Sequence, residues 1–205
     1  MEIRRTANAG VLLTLDHVKI LLDGVCQEVK PYLATPQAEK EMLSKHWPDI
    51  VAFTHAHEDH FDEAYALDYS TATGREVVRG KLSAGQVTVT SVPTRHMGHW
   101  GLTTPHQSFV IGGSQQVWFM GDASPSQMKQ FSSFPKPDVL IVPYPYVSTP
   151  AALKMVEAYL PCKIVLLHMP EPANDPEHIW QNAVEGMERL KAYLYVPALG
   201  ETLQF

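Results

Sequence analysis

The residues with the clearest chemical potential form one short run that follows an apolar stretch. Three histidines and two carboxylates fall within six residues. His55 and His57, two residues apart at the end of a strand, point to the same side and can bind one metal ion. Asp59 and His60, on the following turn, can face a second ion. A solvated polar loop is the alternative interpretation of this run.

Single metal-ligand residues follow other apolar stretches further along the chain. His96 comes after residues 87–92, Asp122 after residues 117–120 and His168 after residues 164–167. Each residue taken alone also fits a capping aspartate or a histidine bonded to the backbone. Loops at the ends of core strands commonly present functional side chains. Four strand ends that each carry histidine or aspartate therefore predict one shared metal site.

The elements that must position these residues are short apolar strands, joined later in the chain by helices. The predicted strands are residues 10–15, 18–23, 49–53, 77–78, 87–92, 108–111, 117–120, 139–142 and 164–167. Helices are predicted from Thr35–Pro36 to before Pro48, from Thr149–Pro150 through Leu160, and from Asp175–Pro176 through Leu190. Residues 63–74 show no strong period. Because no linker or low-complexity tract divides the chain, we expect a single domain over residues 1–205.

Composition narrows the class of protein. The 205 residues are 45% hydrophobic and 19% charged, which is typical of a globular chain. A net charge of -6 disfavours broad binding to nucleic acid. Cys26 and Cys162 lie far apart, which favours reduced thiols over a disulfide framework. Because no signal peptide or apolar span is visible, the sequence predicts a cytoplasmic protein without a membrane partner.

The motif His-x-His-x-Asp-His at residues 55–60, followed in order by His96, Gly121–Asp122 and His168, resembles the metallo-β-lactamase-fold superfamily. The resemblance spans nearly the whole chain. It implies an α+β fold, a four-layer αβ/βα sandwich in which two mixed β-sheets are flanked by helices.

The resemblance also implies a dinuclear site. It assigns His55, His57 and His96 to one ion, assigns Asp59, His60 and His168 to the other, and places Asp122 as a bridge between them. Imidazole and carboxylate ligands suit Zn²⁺, our first expectation, and also Mn²⁺ or Fe. Two ions sharing a water molecule supply a hydroxide nucleophile. We expect Asp59 both to bind metal and to receive a proton during catalysis.

Within the superfamily, the chain resembles the small metal-dependent hydrolases that include L-ascorbate-6-phosphate lactonase. Residues 84–85, 143–149 and 161–163 carry this likeness. Residues 61–74 form a shorter segment than the family leads us to expect, without a clear helix. Since loops beside the site shape the pocket, this difference leaves the substrate open.

Further residues near the motifs have both a functional and a structural interpretation. His99 is our second catalytic candidate, for stabilising an oxyanion or donating to a leaving group. His106 is a weaker candidate, and Arg95 could bind an anionic group of a substrate. Tyr144 and Tyr146 could line the pocket or pack beneath a loop.

The sequence favours a metal-dependent hydrolase that cleaves a small ester, lactone or phosphodiester. One alternative is a mononuclear iron oxidoreductase, similar to a persulfide dioxygenase, on the same fold. Another is a metal-binding protein without catalytic activity. We expect a small-molecule substrate, and the oligomeric state stays open.

Overall fold

Two β-sheets face each other across an apolar layer in the computed structural model, which describes residues 1–78 and 80–205. Their strands are β1 Glu2–Arg5, β2 Val11–Leu15, β3 Val18–Leu22, β4 Ile50–Ala52, β5 Lys81–Ala84, β6 Val87–Arg95, β7 Pro105–Gly112, β8 Gln116–Phe119, β9 Val139–Pro143, β10 Lys163–Leu167, β11 Leu194–Tyr195 and β12 Thr202–Gln204. The first sheet has the order β12-β1-β2-β3-β4 and the second the order β11-β10-β9-β8-β7-β6-β5.

Both sheets are mixed. In the five-stranded sheet β3 and β4 run parallel, and the other neighbours run antiparallel. In the seven-stranded sheet the strands from β8 to β11 run parallel, and those from β5 to β8 pair antiparallel. As a result, β6, β8, β9 and β10 all end at the same edge, where β7 begins.

Helices cover the outer face of each sheet. They are α1 Gln37–Lys45, α2 Glu63–Thr73, α3 Pro145–Ser148, α4 Pro150–Glu157 and α5 Ile179–Leu190, with 3₁₀ turns at Gly98–Leu102 and Pro125–Ser133. Side chains of α1 and α2 pack on the five-stranded sheet, and those of α4 and α5 pack on the seven-stranded sheet. The predicted four-layer α+β sandwich is confirmed. Among the described residues, no helix is long and apolar enough to cross a bilayer.

Successive side chains of one strand belong to different layers of the core. In β7, Phe109 and Ile111 face the opposite sheet, whereas Val110 faces the helices. In β9, Ile141 lies between the sheets and Leu140 lies beneath the helices. Successive side chains of a strand point to opposite faces, so a strand covered on both faces is apolar at every position. This explains why the sequence shows these strands as continuous apolar runs.

The absence of a helix within residues 61–74 is a wrong prediction, because α2 occupies most of that segment. The Asp62 carboxylate accepts a hydrogen bond from the Tyr65 backbone N–H at 3.0 Å and caps the first turn. Gly74 ends the helix in the left-handed conformation, with a φ of 69°. Tyr65 and Tyr69, four residues apart, are buried against Trp47. Two buried tyrosines give too little apolar contrast to reveal a helical period in the sequence.

Two of the predicted helices begin later than expected. Helix α5 starts at Ile179 rather than at 175–176, and Asp175 accepts hydrogen bonds from the Ile179 and Trp180 backbone N–H groups. Helix α1 starts at Gln37, and Thr35 does not cap it. The Thr35 hydroxyl accepts a hydrogen bond from the Cys26 backbone N–H instead, which ties the preceding loop to the helix entrance.

Candidate metal centre

The site lies where strands from both sheets end. His55 follows β4, His96 follows β6, Asp122 follows β8 and His168 follows β10. An isolated bridge between His96 and Ala123 draws the ends of β6 and β8 together. The backbone N–H of Gln107 in β7 donates to the Thr54 carbonyl at 2.9 Å, joining the two sheets beside His55. Strands that start far apart in the sequence thereby bring the predicted ligands to one edge.

Three histidines form the first group, which we call the first metal position. The metal-binding atoms of His55, His57 and His96 all lie within 4.8 Å of one another. The ring centres of His55 and His57 are 4.5 Å apart, and those of His55 and His96 are 4.8 Å apart. Three converging imidazoles at this spacing can hold one divalent ion.

A second group, the second metal position, consists of Asp59, His60 and His168. Their metal-binding atoms also lie within 4.8 Å of one another. His168 Nε2 is 3.1 Å from Asp59 Oδ2. This mixed set of carboxylate and imidazole suits Zn²⁺, Mn²⁺ or Fe.

The Asp122 carboxylate stands between the two positions. Its Oδ1 is 3.4 Å from His60 Nε2, and its Oδ2 is 3.6 Å from His96 Nε2 and 3.7 Å from His168 Nε2. Gly121 makes this placement feasible, because its φ is +52° and an added Cβ would lie 2.5 Å from Thr54 Cγ2. One carboxylate thus faces donors of both groups.

Unpartnered polar atoms at the site fit a metal ion. Among the described residues, His60 Nε2, His96 Nε2, His168 Nδ1 and Asp122 Oδ1 are buried without a hydrogen-bond partner. Buried polar groups are normally satisfied, so several such atoms in one place call for a ligand. Nitrogen and oxygen donors on three imidazoles and a carboxylate match the ligands that divalent transition metals take.

Burial and neighbouring charges set the protonation states of the site. Burial lowers the pKa values of His55 and His57, and it lowers the pKa of His106 to about 3. Neutral imidazole is the form that binds metal. Burial alone would raise the pKa of Asp122, but the neighbouring charges of His60 and His168 outweigh it and hold that pKa well below its usual range.

Asp23 is a site residue that sequence analysis gave no role. It is fully buried, and its Oδ2 accepts hydrogen bonds from His60 Nδ1 at 2.8 Å and from Thr54 Oγ1 at 2.6 Å. A carboxylate that binds the second ring nitrogen fixes the orientation of a metal-ligating histidine. Asp23 therefore aims His60 Nε2 at the second metal position. The available signal was its place directly after β3, the same signal that marked Asp122 and His168.

A buried arginine holds the turn that carries His168. The Arg5 guanidinium donates to the Asn8 carbonyl at 3.2 Å and the Met169 carbonyl at 3.3 Å. It also donates to the Pro197 carbonyl at 3.0 Å, near the C-terminus. His168 itself has a φ of 59°, and its backbone N–H donates to the same Asn8 carbonyl. Arg5 thus supports the turn in which His168, a predicted ligand of the second metal position, adopts its left-handed backbone conformation.

We expect Arg5→Met to weaken ion binding at the second metal position more than at the first. The variant removes the arginine donor from the Met169 and Pro197 carbonyl groups, which costs about 3 kcal/mol of unfolding free energy. Sequential Co²⁺ titration and chemical denaturation measure the two effects. Arg4→Met is the matched control, because Arg4 is partly exposed and pairs with Glu39. Equal loss of ion binding in both variants would contradict the role of Arg5.

The secondary candidates from the sequence occupy different places. His99 is exposed on the 3₁₀ turn and lies against Trp100, whose ring is 5.4 Å from that of His57. Tyr146 is buried and donates to the Ala123 carbonyl at 2.9 Å, which supports the loop of Asp122. Arg95 is exposed at the end of β6. The catalytic role of His99 stays a prediction.

Two tyrosines flank His168. The Tyr144 ring centre lies 6.4 Å from that of His168, which places this residue beside the site as the sequence allowed. Tyr32, which the sequence did not single out, contacts His168 edge-on at 4.3 Å. Burial raises the pKa values of both tyrosines, so each keeps its hydroxyl proton at neutral pH.

A two-sheet αβ/βα sandwich with histidine and aspartate clusters at one edge defines the class of metallo-β-lactamase-fold proteins. Residues 2–166 match the family model described as β-lactamase superfamily domain, and the chain belongs to this family. No curated protein sequence gives a significant match.

Solved structures share the fold at low sequence identity. A possible metal-dependent hydrolase from Veillonella parvula is 16% identical, with a TM-score of 0.76 over 100% of this chain and 99% of the other. An isothiocyanate hydrolase from Delia radicum gut bacteria is 18% identical, with a TM-score of 0.70 over 100% and 99%. The diiron β-hydroxylase CmlA from Streptomyces venezuelae is 15% identical, with a TM-score of 0.69 over 100% of this chain and 54% of CmlA.

Proposed function

We propose that this protein is a hydrolase that uses two divalent metal ions to cleave a small ester, lactone or phosphodiester. The observation that carries the proposal is the Asp122 carboxylate, whose two oxygens face histidines of both groups. A carboxylate shared in this way holds two ions close together. Such a pair supplies a nucleophilic hydroxide at neutral pH and polarises the bond under attack.

Each residue of the site has a defined task in this proposal. His55, His57 and His96 hold the first ion, and His60 and His168 hold the second with Asp59. The Asp59 side chain is 13% exposed, in contrast to the fully buried His60. Asp59 therefore has a route to solvent and can pass on the proton that it receives from the nucleophile.

Two of the similar structures support hydrolysis over other chemistry. One is described as a possible metal-dependent hydrolase, and the other is an isothiocyanate hydrolase. The second adds isothiocyanates, whose central carbon is electrophilic, to the substrate classes worth testing. We keep zinc as the first choice of metal and a small molecule as the substrate, with no membrane partner and with nucleic-acid binding disfavoured. A cytoplasmic location and a single domain also belong to this proposal.

One observation favours a second candidate function, oxidation at iron. CmlA, a diiron β-hydroxylase, covers the whole chain with the same fold. An iron oxidoreductase would consume oxygen. The alternative that the sequence left open, a mononuclear enzyme similar to a persulfide dioxygenase, belongs to this class. Imidazole and carboxylate ligands suit iron as well as zinc, so the donor set does not separate the two reactions.

A substrate panel separates the candidates. The apoprotein would be reconstituted with Zn²⁺, Mn²⁺ or Fe²⁺ and assayed on esters, lactones, phosphodiesters and isothiocyanates, with oxygen uptake recorded in parallel. The proposal predicts hydrolysis that a chelator abolishes and that added metal restores. Oxygen uptake dependent on iron, without hydrolysis, would overturn it. Metal binding without turnover in either assay would favour the non-catalytic alternative.

A further inference from the structure

His106 is a fourth imidazole beside the first metal position. It begins β7 at the edge where β6 and β8 end, and it is 7% exposed. Its ring centre lies 5.1 Å from that of His55 and 5.6 Å from that of His96. Its Nε2 is buried and has no hydrogen-bond partner.

A chain of hydroxyl groups fixes the tautomer of His106. The Ser108 hydroxyl donates its one proton to the Met120 carbonyl at 2.8 Å. Thr94 Oγ1, at 3.1 Å from Ser108 Oγ, must then donate to Ser108. Since Thr94 has no second proton, it accepts from His106 Nδ1 at 2.7 Å. The proton of His106 is therefore on Nδ1, and Nε2 carries a free lone pair.

Three of the five histidines of the two metal positions show the same arrangement. His60 Nδ1 donates to Asp23, and His96 Nδ1 donates to the Met97 carbonyl. His55 Nδ1 donates to Thr54 Oγ1, because the Thr54 hydroxyl proton goes to Asp23. In metal sites this outer hydrogen bond turns the other nitrogen toward the ion. His106 is held in the same way, with Thr94 as its acceptor.

His106 lies beside the predicted ligands without joining them. The clusters of mutually close donor atoms found among the described residues do not include His106. Its ring stands beside the first group, 5.1 Å from that of His55 and 5.6 Å from that of His96, and a water molecule can bridge a polar side chain and a bound ion. A buried lone pair without any partner would lower stability, so a donor from the site accounts for its presence.

We propose that His106 accepts, through Nε2, a hydrogen bond from the water held at the first metal position. The inference rests on the proposed function, because it requires an ion at that position. In this inference, His106 orients the water molecule and does not bind the metal.

The test uses Co²⁺ as the probe, with chelator competition for affinity and visible absorption for coordination geometry. His106→Phe keeps a ring and removes both nitrogens. We expect Co²⁺ affinity to fall about tenfold, the size typical for loss of an outer partner of a metal site, together with an altered spectrum. His106→Gln places an amide oxygen near Nε2 and is expected to return affinity and spectrum toward those of the wild type. His46→Phe, an exposed histidine at the end of α1, is the control.

The outcomes distinguish this inference from the proposed function. A wild-type protein that binds no Co²⁺ would defeat both. A wild-type protein that binds Co²⁺ while His106→Phe matches it in affinity and spectrum would defeat the role of His106 alone. If His106→Phe does not fold, Thr94→Val replaces it, because that variant frees the ring to change tautomer. Unchanged Co²⁺ affinity and spectrum in Thr94→Val would then overturn the inference.

Discussion

Asp122→Ala is expected to reduce hydrolysis about 10³-fold and to lower the number of bound ions, because it removes a carboxylate that faces both metal positions. Metal ions contribute several kcal/mol of transition-state stabilisation, and a pair held at the wrong separation loses much of it. Steady-state kinetics and elemental analysis of the purified variant measure the two effects.

The control for this prediction is Asp68→Ala, which removes an exposed carboxylate from α2. That variant should match the wild type in activity and in metal content. Asp122→Asn adds a finer comparison, since it keeps the side-chain volume and removes the negative charge. An Asp122→Ala variant that retains two bound ions and normal kcat would show that the carboxylate is not a bridge.

Asp59→Asn is expected to lower kcat by about 10²- to 10⁴-fold, which is the range for loss of a general base. The amide keeps the shape of the side chain, but it cannot accept a proton or bind a cation with a full charge. The first metal position, made only of histidines, should still bind its ion. We therefore expect activity assays to show a large loss of turnover, and Co²⁺ titration to show only a partial loss of ion binding.

Two results would contradict this account of Asp59. Normal kcat in Asp59→Asn would remove the residue from the proton transfer. Loss of ions from both positions to the same extent would make Asp59 a general support of the site rather than a ligand of one ion. His168→Ala is a useful comparison, because it removes a ligand of the second position without removing a base.

Much of the architecture could be predicted from the sequence because strands covered on both faces leave long apolar runs. Residues 139–142 and 164–167 are examples, and both belong to interior strands of the seven-stranded sheet. Helix α2 was missed because its buried face rests on Tyr65 and Tyr69, whose polar hydroxyl groups weaken the apolar pattern. Its capping residues, Asp62 and Gly74, were the more informative signal.

The candidate site was predictable in its members but not in its geometry. The motif at residues 55–60 and the residues after three later strands indicated a shared site. Their convergence depends on sheet order and strand direction, which no local pattern reveals. Asp23 and Arg5 escaped notice for the same reason. Their partners, His60 and the Met169 carbonyl, are distant in sequence and become neighbours only when the sheets pack.

The central claim is that this site holds two divalent ions that share Asp122. Anomalous X-ray scattering from crystals of the Zn²⁺-reconstituted protein tests it most directly. The account predicts two zinc peaks, one among His55, His57 and His96, and one among Asp59, His60 and His168, with the Asp122 carboxylate between them. A single peak, or no peak at these residues in a folded and fully reconstituted protein, would contradict it.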